Sequence, residues 1–251
     1  MNLGKEFKNY ATKHLGVNDQ LVNEWEKLQQ TIYGPTNSLT PMILEERELR
    51  VTQMSVFDRL LMDRIIHLYG PVNDHMCAVT QAQLMFLDSV EKKDITLHIS
   101  TPGGSVMAGT SMVSVMNHIK SDVIGVNMGL CASMGSILLG ACTKGKRFSL
   151  PFSKVMIHQV SSSTGGHVVD NRINHYESEK YNYVLFKMLS EFSGRDFNEV
   201  LEIANRDKWF NAEETLEFGL IDEVLYPEGS DKKGMTKYLE GFEEYYQNMN
   251  K

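Results

Sequence analysis

The sequence is poor in cysteine, and its few cysteines follow no pattern. Three of the 251 residues are cysteine, an odd number without Cys-x-x-Cys spacing, so neither a disulfide framework nor a metal site is indicated. Cys77, Cys131 and Cys142 lie in apolar or small-residue surroundings, as buried thiols do in a reducing compartment. We therefore expect a cytoplasmic protein without a bound metal.

Long apolar runs and basic clusters are missing as well. No run approaches the roughly 18 apolar residues that cross a bilayer, and residues 1–16 lack an apolar core of signal-peptide length. The formal net charge is −7, and the longest basic cluster is Lys144-Gly-Lys-Arg147. That cluster is too short for a nucleic-acid or anionic-membrane surface, so we expect no binding to either.

The order of the chain predicts one regular domain between two appendages. Breaker-rich residues 31–41 separate an N-terminal segment from the rest, and residues 42–53 favour a hairpin or a mobile arm. From residue 57 onward, short apolar runs alternate with amphipathic ones, as in βαβ units that form a mostly parallel sheet. A long helix over 168–192 is expected to project from the body. The aromatic stripe after Pro227 is expected to pack on a surface.

Ser133 stands where the strand-like run 123–128 turns into a small-residue run typical of a helix. Unpaired backbone N–H groups and the positive end of the helix dipole lie at such a turn. Both features favour a nucleophile whose reaction generates an oxyanion. The alternative is an ordinary N-cap serine, and this stretch alone favours the cap.

Other candidate groups fall at the carboxyl ends of the predicted strands, where functional groups gather in parallel sheets. Gly103 and Gly104 either let a backbone N–H approach a ligand oxygen or form a tight turn. His158 is a candidate general base or a structural histidine. Asp207 either orients that base or pairs with its basic neighbours in sequence. Taken singly, none of these residues decides the function.

Five motifs occur in a fixed order between residues 41 and 225. They are Thr101-Pro-Gly-Gly-Ser-Val106, Ala132-Ser-Met-Gly135, Lys144-Gly-Lys-Arg-Phe-Ser-Leu-Pro151, Val155-Met-Ile-His-Gln159, and Asn211-Ala-Glu-Glu214 followed by Phe218-Gly-Leu-Ile-Asp-Glu-Val224. With them the chain resembles the ClpP family, the serine-peptidase subunits of the Clp protease. Several motifs in the right order are far more specific than any one of them.

The resemblance implies an α/β fold, a ClpP/crotonase-like superhelix of repeated ββα units with a projecting long helix. The peptidase domain would span residues 39–226, after an N-terminal extension, 1–38, that is a possible propeptide. Residues 227–251 would form a C-terminal tail. The motif order also implies the site: Ser133 as nucleophile, His158 as general base and Asp207 as the acid that orients the histidine. Gly104 and Met134 match the oxyanion positions through their backbone N–H groups.

The resemblance also implies partners. Copies of the chain would form heptameric rings, stacked as a double ring around a degradation chamber. An AAA+ unfoldase of the ClpX or ClpA/ClpC type would feed unfolded proteins into that chamber. ATP would be consumed by the unfoldase, which agrees with the absence of a G-x-x-x-x-G-K-[ST] motif here, and this subunit would need no cofactor.

Some positions depart from the family pattern. Thr96, His98 and His118 stand where the family usually has aromatic residues for the pockets that receive unfoldase loops. Asn171 and Arg172 stand in the first turns of the long helix, where the family tends to be apolar and joins the two rings. We therefore hypothesise weaker double rings, or assembly with a second ClpP-like chain.

Two further interpretations stay open. An acyl-CoA hydratase or isomerase on the same fold would use backbone oxyanion donors, but normally with a carboxylate as base. A structural ring subunit would bind the unfoldase or a catalytic paralogue and cleave poorly. The aligned serine, histidine and aspartate disfavour both alternatives.

Overall fold

A computed structural model describes most of the chain, and the chain divides into two compact units, 1–63 and 64–251. The described residues are 42–47, 50–162 and 165–249. The predicted extension, residues 1–38, and the proposed boundary after it lie outside them.

The described part of the first unit is a hairpin followed by a helix. Strands β1 (Met42–Arg47) and β2 (Arg50–Ser55) pair antiparallel, and helix α1 (Val56–Met62) follows directly. Ser55 starts the helix with a capping box, because its Oγ accepts the Asp58 N–H while the Asp58 carboxylate accepts the Ser55 N–H. Of the two structures favoured for 42–53, the hairpin is the one that forms.

The second unit alternates strands and helices, which confirms the α/β class. Its strands are β3 (Ile65–Tyr69), β4 (Ile95–Thr101), β5 (Val123–Ala132), β6 (Arg147–Ser149), β7 (Lys154–Ile157), β8 (Lys208–Phe210) and β9 (Glu223–Val224). Its helices are α2 (Asp74–Val90), α3 (Val106–His118), α4 (Met134–Gly140), α5 (Val168–Ser193), α6 (Phe197–Ile203), α7 (Ala212–Phe218), α8 (Thr236–Leu239) and α9 (Phe242–Met249).

Strands β3, β4, β5, β6 and β9 are parallel neighbours in that order. The ten-residue strand β5 changes partner along its length, pairing with β6 at 125–127 and with β7 at 130–132. Strand β8 then runs antiparallel to β7. The plain βαβ alternation predicted from the sequence did not include this change of partner, which brings the ends of β5 and β7 together.

The core lies on one side of the strands and around α4. In β4 the side chains alternate, with Ile95, Leu97 and Ile99 fully buried and the residues between them half-buried. Helix α4 is buried along its whole length. It also approaches α5 closely, since a Cβ on Gly140 would lie 2.6 Å from Phe192 Cδ2. The C-terminal end of this short helix is therefore packed against the long helix.

The long helix and the tail agree with the sequence only in part. Helix α5 is 26 residues long, and its buried residues, Leu185, Phe186 and Leu189, all lie in its second half, as expected of a projecting helix. The tail contacts the body at its start, where the N–H of Met235 donates to Pro151 O at 3.3 Å. Farther on, its aromatic side chains are exposed in the single chain, although the centroid of the Tyr238 ring lies 6.0 Å from that of Phe152, so packing of the stripe on a surface stays a prediction. Among the described helices, none is long and apolar enough to span a membrane.

Candidate active site

Ser133 lies at the turn between β5 and α4 in a strained backbone conformation. Its φ is +54° and its ψ is −121°, in a region that residues with a side chain rarely adopt. Its N–H donates to Met156 O on β7 at 2.8 Å, and its carbonyl accepts the Ser136 N–H at 3.0 Å and the Ser136 hydroxyl at 2.7 Å. These bonds hold the serine in place despite the unfavourable φ.

The hydroxyl of Ser133 faces His158. Ser133 Oγ lies 2.8 Å from His158 Nε2, although the two residues are 25 positions apart. The pairing of β7 with the last residues of β5 produces this approach, because His158 directly follows β7. Ser133 occupies the N-cap position of α4, yet its side chain makes no capping hydrogen bond. The simple N-cap interpretation was therefore wrong.

The other ring nitrogen of His158 lies close to Asp207. Asp207 Oδ1 is 3.2 Å from His158 Nδ1, and its side chain is 63% exposed, against 23% for the histidine. The antiparallel register of β7 and β8 ends with Ile157 opposite Lys208, so the next two residues meet. Among the ion pairs of the described residues, Asp207 contacts His158 and neither of its basic sequence neighbours.

This chain of contacts allows a specific proton arrangement. A neutral imidazole with its proton on Nδ1 donates to Asp207 and leaves Nε2 to accept the hydroxyl proton of Ser133. The serine can then lose its proton to the histidine as its oxygen attacks a substrate. The arrangement suits nucleophilic catalysis by a hydroxyl group.

Two backbone N–H groups border the same cleft. Met134 is the first residue of α4, where an N–H has no intrahelical partner. The N–H of Gly104 lies in a segment fixed by two 2.8 Å bonds to Val72, one from the Val72 N–H to Gly103 O and one from the Ser105 N–H to Val72 O. Within the described part of the chain, neither N–H donates to a protein acceptor. Both remain available to a ligand oxygen.

Only glycine fits at position 104. Its φ is +150°, and a Cβ there would lie 2.3 Å from Val72 O. Gly103 is equally confined, since its Cβ would lie 2.6 Å from Ser133 Cβ. The two glycines thus allow one backbone segment to approach the serine turn closely, beyond what an ordinary tight turn requires.

The cleft in front of the serine combines polar groups with apolar walls. It encloses about 430 Å³, counting the part open to solvent. Its apolar lining includes Val106, Ile137, Leu185 and Leu189. A chain with both amide and apolar groups, such as a peptide, matches this mixture.

Thiol chemistry is excluded at this site. Cys131 lies two residues before the serine but is buried, and burial raises the pKa of its thiol well above the usual value. Burial likewise raises the pKa of Cys142 to about 12. Neither thiol forms a nucleophilic thiolate near neutral pH. Among the described residues, no group of three or more His, Cys, Asp or Glu side chains is placed to hold a metal.

The structure adds a neighbour to His98, one of the departures from the family pattern. His98 on β4 lies opposite His67 on β3, and the two rings meet edge to face with centroids 4.9 Å apart. Burial lowers the pKa of His98, and the charge of His67 lowers it further. His67 was not predicted from the sequence, although its place in the alternating pattern of β3 indicates which face of the sheet it occupies.

A serine hydroxyl bonded to a histidine that contacts an aspartate, beside available N–H donors, is the arrangement of a serine hydrolase. The model of the Clp protease family matches residues 47–228. The chain therefore belongs to the Clp protease family, and the predicted resemblance and fold class are confirmed.

Curated relatives resemble the chain over most of its length. It is 43% identical over 221 residues to the ATP-dependent Clp protease proteolytic subunit of Porphyromonas gingivalis, covering 88% of this chain and 97% of that protein. The subunit of the same name from Bacteroides fragilis is 45% identical over 221 residues, covering 88% of this chain and 98% of its own length. That of Streptococcus pneumoniae is 44% identical over 190 residues, covering 74% and 97%.

Proposed function

We propose that the chain is a serine endopeptidase, the proteolytic subunit of a Clp protease, with Ser133 as its nucleophile. The observation that carries the proposal is the 2.8 Å contact between Ser133 Oγ and His158 Nε2. A capping serine would direct this hydroxyl to the helix N–H groups, and here it is directed to a base.

The proposed reaction begins when Ser133 attacks a peptide carbonyl while His158 takes the hydroxyl proton. Asp207 orients the imidazole and stabilises its charged form. The N–H groups of Gly104 and Met134 donate to the oxyanion, and His158 returns the proton to the leaving amine. An acyl-enzyme on Ser133 remains, and water activated by His158 then hydrolyses it.

The assembly proposed for this subunit follows its family. Copies form heptameric rings, as a double ring or together with a second ClpP-like chain, and enclose the sites in a chamber. An AAA+ unfoldase of the ClpX or ClpA/ClpC type delivers unfolded proteins and uses the ATP, while the subunit itself needs no cofactor. Residues 1–38 are a propeptide in this proposal, and the assembly is cytoplasmic.

The assembly proposal has its own test. Mass measurement of the purified protein in solution distinguishes a stable homotetradecamer from smaller species. We expect single rings or unstable double rings, because the first turns of α5 carry Asn171 and Arg172. A stable homotetradecamer would contradict the expectation of weak ring pairing and leave the peptidase proposal intact.

A fluorophosphonate probe and a short fluorogenic peptide test the activity. The purified protein should be labelled and should turn over the peptide, whereas a Ser133→Ala variant should do neither. Ser114→Ala is the matched control, since this serine is exposed on α3 and does not line the cleft. Peptide turnover by the Ser133→Ala variant would contradict the proposal. A wild-type protein that assembles into rings but does not turn over the peptide would support the structural ring subunit instead.

A further inference from the structure

We infer that Gln159 is a positioning residue whose side-chain amide ties the loop that carries Asp207 to the segment that carries His158. The inference rests on the proposed function, because it concerns the alignment of the proposed acid with the proposed base. It assigns to Gln159 a role beyond its place in the motif that ends at this residue.

One hydrogen bond carries the connection. Gln159 Nε2 donates to the backbone carbonyl oxygen of Asn205 at 3.0 Å. A carbonyl oxygen only accepts, so the amide nitrogen must face it. Gln159 directly follows His158, and Asn205 lies two residues before Asp207. The bond therefore spans the gap between the two segments next to the proposed pair.

Backbone pairing alone holds the Asp207 loop weakly. Strand β8 has three residues, and its register with β7 stops at the pair Ile157 and Lys208, one step short of the proposed base and acid. On its other side the loop follows α6, where the hydrogen bond from the Asn205 N–H to Glu202 O is long, at 3.4 Å. Beyond the last pair, a polar cleft lies between 158–162 and 205–207. The Gln159 side chain bridges this cleft where the ladder has ended.

The segment that carries Gln159 is itself held by a hydrogen bond to the long helix. The N–H of Val160 donates to Asn182 Oδ1 on α5 at 2.9 Å. Asn182 thus holds the segment after His158 against the long helix, and Gln159 reaches from this fixed segment to the exposed loop. Loss of the amide should leave His158 in place and release Asp207.

A double-mutant cycle separates positioning from direct contact with substrate, since Gln159 also lines the cleft in front of Ser133. We expect Gln159→Ala to lower kcat on a short peptide about tenfold, with KM unchanged within about twofold. In an Asp207→Ala background the same substitution should change kcat by less than about twofold, because the group it positions is gone. An equal loss in both backgrounds, or a loss confined to KM, overturns the inference.

Hydrogen exchange gives a readout that does not need activity. Amides of residues 204–210 should exchange faster in Gln159→Ala and in the isosteric Gln159→Glu, whose carboxylate cannot donate. Gln247→Ala is the matched control, an exposed glutamine on α9, and should match the wild type. Unchanged exchange in both Gln159 variants overturns the inference. Absence of Ser133-dependent turnover in the wild type refutes only the proposed function, and the exchange result then decides the role of Gln159.

Discussion

The two ends of the Ser133, His158 and Asp207 contact chain are built differently. Ser133 lies in a turn held by three hydrogen bonds of 3.0 Å or less, two between backbone groups and one from the Ser136 hydroxyl, and is followed by a helix buried throughout. Asp207 is 63% exposed and lies beside a three-residue strand. The turn of the proposed nucleophile is thus fixed by local folding, whereas the position of the proposed acid depends on a few contacts. Assembly or substitution should therefore alter the alignment of Asp207 more easily than that of Ser133.

The largest loss of peptide turnover should come from substitution of Ser133, the fixed end of the contact chain. Ser133→Ala removes the attacking oxygen but keeps the backbone bonds of the turn, so we expect kcat on a peptide to fall about 10⁵- to 10⁶-fold while the fold is retained. Rate measurements with thermal melting of both proteins check this. A loss below about a hundredfold would show that another group attacks the substrate.

Substitution of Asp207, the exposed end of the contact chain, should lower kcat by a smaller factor. Asp207→Asn keeps the shape of the side chain but no longer favours the imidazole tautomer with its proton on Nδ1, so we expect kcat to fall roughly 10³- to 10⁴-fold. A kcat comparison with Asp196→Asn, at an exposed aspartate that caps α6, provides the control. If Asp207→Asn costs less than about tenfold, the acid does not orient His158.

The oxyanion donor should contribute less than either end. Gly104→Ala would place a Cβ 2.3 Å from Val72 O and displace the segment that carries the N–H. We expect kcat/KM to fall about 100- to 1,000-fold, the usual cost of one oxyanion donor. Gly165→Ala is the control, because no atom of the described residues lies within 4 Å of its added Cβ. Equal activity of the two variants would remove Gly104 from the proposed mechanism.

The smallest effect on activity should come from a buried ion pair away from both ends. Arg147 is 3% exposed and bonds Asp222 at 2.6 Å. Asp222→Asn leaves this guanidinium without a charged partner, so we expect the free energy of unfolding to fall by about 3 kcal/mol. Peptide turnover measured well below the melting temperature should change less than about twofold. A turnover loss as large as that of Asp207→Asn would mean that the two regions are not independent.

The same pair predicts a dependence of stability on pH. Burial raises the pKa of Asp222, but hydrogen bonds from Arg147 and from the Gly145 N–H outweigh burial and leave the pKa below its usual value. A lowered folded-state pKa stabilises the protein above the unfolded-state value of about 4, and this stabilisation is lost as the pH falls through the folded value. The free energies of unfolding of wild type and Asp222→Asn, measured with denaturant, should therefore become more similar as the pH is lowered from about 6 to about 3. A difference in the free energy of unfolding that stays constant over this range would show that ionisation of Asp222 does not stabilise the protein.

The positions of most strands and helices could be predicted from the sequence, because they depend on patterns of apolar residues within short segments. The alternation of apolar and amphipathic runs located strands β3 to β7 and helices α2 to α5. It did not predict that β5 pairs first with β6 and then with β7, because that depends on long-range register. The predicted packing of the aromatic stripe in the tail stays a prediction, since Phe242 and Tyr246 are exposed in the single chain.

The candidate site was predicted from motif order rather than from local pattern. Ser133 alone favoured a helix cap, and His158 and Asp207 each had a structural alternative. The contacts that join them span 25 and 49 positions and are set by strand pairing, which no local pattern contains. The bridge from Gln159 to Asn205 gave no signal in the sequence for the same reason.

The most direct test of the account is peptide mapping of the fluorophosphonate adduct by mass spectrometry. The account predicts one adduct, on the peptide that contains Ser133, and no adduct in the Ser133→Ala variant. An adduct on any other serine, or a folded and assembled wild type that forms none, would contradict the assignment of Ser133 as the nucleophile.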